Sequence, residues 1–151
     1  MTRETPTRPG KWARWLKILL RIDGAVLSLA FLAVFLPTPW MEQTSVALGL
    51  EPLPDVALTQ YLTRSLSLLY GVHGVLFLLA ASDPRRLAPL VETMAILDVV
   101  LSVALTGIDL KAGMPLLWTL SEAFGPAVNG LLLLFLLARA RRDWDLEGGG
   151  E

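Results

Sequence analysis

The sequence predicts an all-α fold: an integral membrane four-helix bundle with both termini cytoplasmic. Three observations lead there. Hydrophobic residues make up 54% of the 151-residue chain against 18% charged, with a mean hydropathy of +0.56; soluble domains hold about 45–50% apolar and ~25% charged residues. The excess is gathered into four stretches, near residues 16–36, 60–81, 87–106 and 115–138. Each approaches the roughly 20 helical residues that a bilayer core of about 30 Å requires. Finally, the cations are sorted. Arg3, Arg8, Lys11, Arg14, Lys17 and Arg21 precede or open the first stretch, Arg85 and Arg86 join the second to the third, and Arg139, Arg141 and Arg142 follow the fourth. Of the 13 Lys and Arg, only Arg64 and Lys111 lie elsewhere. The positive-inside rule puts those three segments, and so both chain ends, in the cytoplasm.

Residues 1–15 form a basic cytoplasmic tail, rich at first in Pro, Thr and Arg. From Lys11 to Arg21 the cations alternate with Trp12, Trp15 and Leu16 at helical spacing, an interfacial turn leading into the first span. That span (16–36) ends at Pro37-Thr38-Pro39-Trp40, where two prolines break the helix and Trp40 suits the headgroup zone. A basic front and an apolar middle without a small-x-small cleavage site read as a retained anchor rather than a removed signal peptide. The loop over 41–59 is acidic, with Glu42, Glu51 and Asp55 and no cation; residues 41–50 suit a short interfacial helix, and Pro52 and Pro54 bar one continuous helix. Between spans two (60–81) and three (87–106), Asp83 is placed to cap and Pro84 to open the next helix. Gly107 offers a C-terminal stop for span three. Span four (115–138) runs into Arg139, and the glycine-ended segment 143–151 is expected to be a disordered cytoplasmic tail.

The composition excludes several classes of chemistry. There is no cysteine and one histidine, which removes disulfides, thiol catalysis, iron–sulfur clusters and histidine-rich metal sites within one chain. Charges sorted by side leave no uniform surface for nucleic acid. No phosphate loop, zinc spacing or nucleophile elbow is present, and no internal repeat suggests an inverted-repeat transporter.

Five polar residues stand in lipid-length apolar stretches: Arg64, His73, Asp98, Glu122 and Asn129. A charge at a helix centre costs at least about 2.5–3.5 kcal/mol on insertion scales, so these should face the bundle interior. Arg64 shares a face of span two with Ser67, Gly71 and Gly74, where small residues permit close helix approach; it either snorkels to the headgroups or binds a substrate. His73, about 180° away on the same helix, is a packing histidine or a proton relay. Asp98 continues onto Ser102 and Asp109 on one face, and a hydrogen bond to another helix would satisfy it as well as a working role would. Glu122 and Asn129 share a face of span four, flanked by Trp118 and Pro126. Pro126 withholds an amide from the carbonyl of Glu122, so a kink and a polar pocket or interhelical hydrogen bond are expected there. Spans two and four run in the same direction, so comparison of depth pairs Arg64 with Glu122 in the outer leaflet, under Trp118. Asp23 and Glu92, near the inner ends, have Arg21, Arg85 and Arg86 at hand. No catalytic, cofactor-binding or metal-binding residue is assigned, and any cofactor is unknown.

The segment Leu62-Thr-Arg64-Ser-Leu-Ser-Leu-Leu-Tyr70-Gly71-Val-His73-Gly74, the long outer loop before it and the stretch Trp118-Thr-Leu-Ser-Glu122 resemble the DoxX-like superfamily of small four-helix bacterial membrane proteins. The resemblance covers nearly the whole chain by topology and rests on short motifs. It implies a bacterial inner-membrane location, and some members are associated with membrane oxidoreductases that pass electrons to quinone. Three functions are therefore weighed. The first is a non-enzymatic multi-pass protein acting as an accessory subunit or binding a lipid-like ligand. The second is a quinone-linked oxidoreductase subunit using Arg64, His73 and Asp98, and the third is a proton-coupled carrier using Asp98 and Glu122. The expected partners are the lipid bilayer and either a membrane protein or further copies of the chain.

Overall fold

A computed structural model describes residues 10–47 and 56–148, with the side chains of 146–148 excepted. Most of the expected amino-terminal tail, Glu51, Pro52, Pro54 and Asp55 of the acidic loop, and the last three residues lie outside the described residues. Every element among those described is helical: α1 Lys11–Ser28, α2 Ala30–Val34, α3 Thr38–Ala47, α4 Ala57–Ser82, α5 Ala88–Ala112 and α6 Leu116–Gly148. Helices α4, α5 and α6 are long and apolar enough to cross a membrane. Their outward surfaces are apolar as well: Leu69 and Val72 of α4, Val100 and Val103 of α5, and Leu117, Phe124 and Leu131 of α6 are all exposed. Hydrocarbon outside and polar groups turned inward is the arrangement lipid rewards.

The expected first span is not one helix. Chain 11–34 divides at Leu29 into α1 and the five-residue α2. The cause is local. The Ser28 hydroxyl donates to the Gly24 carbonyl at 2.6 Å, a back-bond that bends helices. Backbone bonds then tighten to three-residue spacing, with Leu29 N donating to Val26 O at 3.1 Å and Leu32 N to Leu29 O at 2.9 Å. Pro37 follows, and α3 opens with Pro39 in its first turn, where a missing amide costs nothing.

Other boundaries also shift. Helix α5 passes through Gly107 and stops at Gly113, whose φ of 70° is the left-handed cap that glycine tolerates. Asp83 does not cap α5, which begins at Ala88 behind Leu87 without a side-chain cap; its Oδ1 instead accepts the Arg86 amide at 3.1 Å in the turn before that helix. Helix α6 continues through Gly148, so 143–148 is helical rather than a disordered tail. Pro126 lies inside α6, which continues across it as one helix.

The chain forms two compact units: residues 1–19 with 80–151, and residues 20–79. In the first unit α5 packs along α6. Leu16, Val91, Leu133 and Leu137 are fully buried there, and Ala80, Ala95 and Ala140 are buried as well. At Gly130 a Cβ would lie 2.5 Å from the Ala95 carbonyl oxygen, so only glycine lets the two backbones approach this closely. The Arg141–Glu92 ion pair at 2.6 Å ties the far ends of the same helices, so the cation serving Glu92 is Arg141 and not Arg85 or Arg86. Asp143 reaches back to the start of α1, accepting the Trp12 amide at 3.3 Å.

In the second unit, α4 presents Gly71 and Gly74 to α1 and α2. A Cβ on Gly74 would come within 2.5 Å of Ser28 N, and one on Gly71 within 2.7 Å of the Phe31 ring. Gly24 and Ser28 face Gly74 as a second small pair, four residues apart on α1. Small residues on both sides let the helices meet nearly backbone to backbone.

Candidate functional site

Along α5 the buried face changes character. Ala88, Val91, Met94 and Ala95 come first, and Asp98, Ser102 and Asp109 follow toward the α5–α6 turn. Spacings of three, four and seven residues keep all of these on one side of the helix. The half of the hairpin nearest the turn is therefore a polar seam inside an apolar shell.

Hydrogen bonds cross that seam. Asn129 Nδ2 donates to Asp98 Oδ2 at 3.1 Å, one residue from the glycine contact at Gly130. The Ser102 hydroxyl donates to the Ala123 carbonyl at 2.7 Å. Because Pro126 disturbs the backbone ladder of α6 in this turn, carbonyls here are open to side-chain donors, and Ser102 supplies one. Nearer the turn, Trp118 Nε1 donates to Glu122 Oε2 at 2.9 Å within α6. Also buried toward the turn are Asp109 and Thr119, 6% and 3% exposed. Asp109 Oδ2 and Thr119 Oγ1 have no hydrogen-bond partner among the described residues, a costly state for buried polar atoms.

Of the five residues singled out in the sequence, Asp98 and Asn129 touch, and Glu122 lies two helical turns along with Trp118 as its partner. Arg64 and His73 belong to the second unit, on α4. His73 is half-buried with its ring edge-on to Phe77, centroids 4.8 Å apart at 87°. Arg64 is half-buried, and its Nε is shut off from solvent without a hydrogen bond among the described residues. Ser67 donates to Thr63 O at 2.9 Å within α4.

Thr119 escaped the sequence reading. It shares the inward face of α6 with Glu122 and Asn129 at spacings of three and ten, yet threonine is unremarkable at a helix start. The chemistry available to the seam is hydrogen bonding to one carboxamide (Asn129), three carboxyls (Asp98, Asp109 and Glu122) and two hydroxyls (Ser102 and Thr119). No group of three or more His, Cys, Asp or Glu able to hold a metal occurs among the described residues. No family model, curated protein or solved structure matches this chain.

Proposed function

We propose that the protein is a non-enzymatic multi-pass membrane protein of the cell membrane, a small accessory subunit or binder of a lipid-like molecule. On this reading residues 16–36 make the first of four crossings despite the break at Leu29, and both chain ends face the cytoplasm. The DoxX-like resemblance of Leu62–Gly74 and Trp118–Glu122 belongs to the same proposal.

One observation carries it. Polar groups of the α5–α6 hairpin bond to one another: Asn129 to Asp98 and Ser102 to the α6 backbone between the two helices, and Trp118 to Glu122 within α6. Side chains committed to packing support a scaffold that presents an apolar surface to lipid or to another membrane protein. Ample apolar surface is exposed on α4, α5 and α6 for that purpose.

Purification in mild detergent, followed by mass spectrometry of everything retained, tests the proposal. A bound lipid or a stoichiometric membrane partner without redox cofactor is expected. A copurifying quinone with a flavin- or metal-bearing partner would replace the proposal with the oxidoreductase reading. Proton flux in liposomes that disappears in Asp98→Asn would replace it with the carrier.

A further inference from the structure

Within the first unit, the opening turn of α1 meets the last third of α6 in a cluster of rings and cations. Trp12 and Phe135 pack edge to face, with centroids 5.7 Å apart and planes at 89°. The Arg139 guanidinium carbon lies 5.8 Å from the Trp12 centroid and 5.3 Å from that of Phe135. Lys11 Nζ lies 5.5 Å from the same Trp12 ring. Two cations thus share one indole.

Among the described residues, Lys11 and Arg139 have no carboxylate at ion-pair distance. Three acids of this end bond to other groups: Asp143 to the Trp12 amide, Glu92 to Arg141 and Asp83 to the Arg86 amide. Ring faces attract a cation but supply no counter-charge, and they use none of the five N–H donors of a guanidinium. An arginine held this way keeps its donors for a planar, bidentate oxyanion such as phosphate.

The surface leading away from the cluster specifies what carries that phosphate. Val128, Leu131, Leu132 and Phe135 are all exposed and precede Arg139 on one side of α6. At 100° per residue the five lie within about a 100° arc. From Val128 to Arg139 the helix rises roughly 16 Å, about the depth of one leaflet of a 30 Å hydrocarbon core. An apolar track one leaflet long, with two uncompensated cations at its end, matches a phospholipid with its chain along the track.

We propose that Lys11 and Arg139, held over Trp12, bind the phosphate of an anionic phospholipid in the leaflet bordering the chain ends, with an acyl chain along Val128, Leu131, Leu132 and Phe135. This site rests on the membrane reading above and names the lipid-like ligand. Two positive charges without a counter-ion select a net negative headgroup over a zwitterionic one. Each basic residue at an anionic surface contributes on the order of a fivefold preference.

The test uses the full chain reconstituted with equimolar phosphatidylglycerol and phosphatidylcholine, then extracted gently for native mass spectrometry of retained lipid. Phosphatidylglycerol is expected to exceed phosphatidylcholine by about fivefold or more. The Lys11→Gln/Arg139→Gln double variant brings the ratio close to unity. An Arg14→Gln/Arg142→Gln double variant, which removes the same charge away from the ring, keeps it. Inorganic phosphate in solution leaves the bound lipid in place. Equal retention of both lipids by the unaltered chain overturns the site, as does a control variant that loses as much as the ring variant, or displacement by inorganic phosphate. In each of those cases a chain that still inserts in the vesicles leaves the membrane reading standing. A chain that never inserts ends both.

Discussion

Asp98 lies where a carboxyl group has little to gain, and Asn129 is placed to receive it. A carboxamide both donates and accepts, so it can serve a neighbouring carboxyl in either protonation state. Interhelical hydrogen bonds in membrane proteins average about 0.6 kcal/mol and reach about 1.7. Asn129→Leu is therefore expected to destabilise the protein by about 1 kcal/mol in reversible unfolding by SDS titration, since it removes one partner from a buried acid. Asp98→Asn keeps an amide pair and is expected to stay within about 0.5 kcal/mol of the parent. Reversal of that order would show that the carboxylate charge, rather than the hydrogen bond, stabilises the seam. Both residues were conspicuous in the sequence because each is polar in an apolar run. Their meeting was not legible, because the register between two helices depends on how closely their backbones approach. Gly130 sets that approach, and a glycine in sequence does not announce which neighbour it faces.

At the scale of the element, three glycines of the α5–α6 hairpin make a discriminating set. Gly130 touches Ala95 O, Gly113 has positive φ, and Gly107 has no neighbour within 4 Å of an added Cβ. Gly130→Val is expected to cost about 1–3 kcal/mol by overpacking, and Gly113→Val a similar amount by backbone strain. Gly107→Ala should be neutral or stabilise by up to roughly 1 kcal/mol through helix propensity. Thermal unfolding in detergent separates the three. A Gly107→Ala variant as damaged as Gly130→Val would contradict the packing described. This is also where hydropathy misjudged the end of span three. Asp109 and Lys111 lower the local hydropathy and made Gly107 look like the stop, yet Asp109 is turned inward and α5 runs on to Gly113. The same logic hid the end of α6. Arg139, Arg141, Arg142, Asp143 and Asp145 read as a polar tail, but Arg141 finds Glu92 and Asp143 finds the start of α1. Partners distant in sequence hold that segment in the helix.

For the whole molecule, the all-helical character and three membrane-length helices were legible from hydropathy alone, since that signal needs no knowledge of neighbours. The break at Leu29 was not, because hydropathy averages over a hydroxyl that bends its own backbone. The break bears directly on the count of crossings. Four crossings place the two chain ends on one side, whereas three place them on opposite sides. A chain without cysteine is well suited to resolve this, since single cysteines can be introduced without background. Thr7→Cys, Gln43→Cys, Lys111→Cys and Asp145→Cys sample, in order, the segment before α1, α3, the α5–α6 end and the last turns of α6. Treating intact cells with a membrane-impermeant maleimide should label Gln43→Cys and Lys111→Cys, and label Thr7→Cys and Asp145→Cys only after permeabilisation. Labelling of Thr7→Cys together with Gln43→Cys in intact cells would contradict the first crossing, and recovery of the protein in the soluble fraction would contradict all of them.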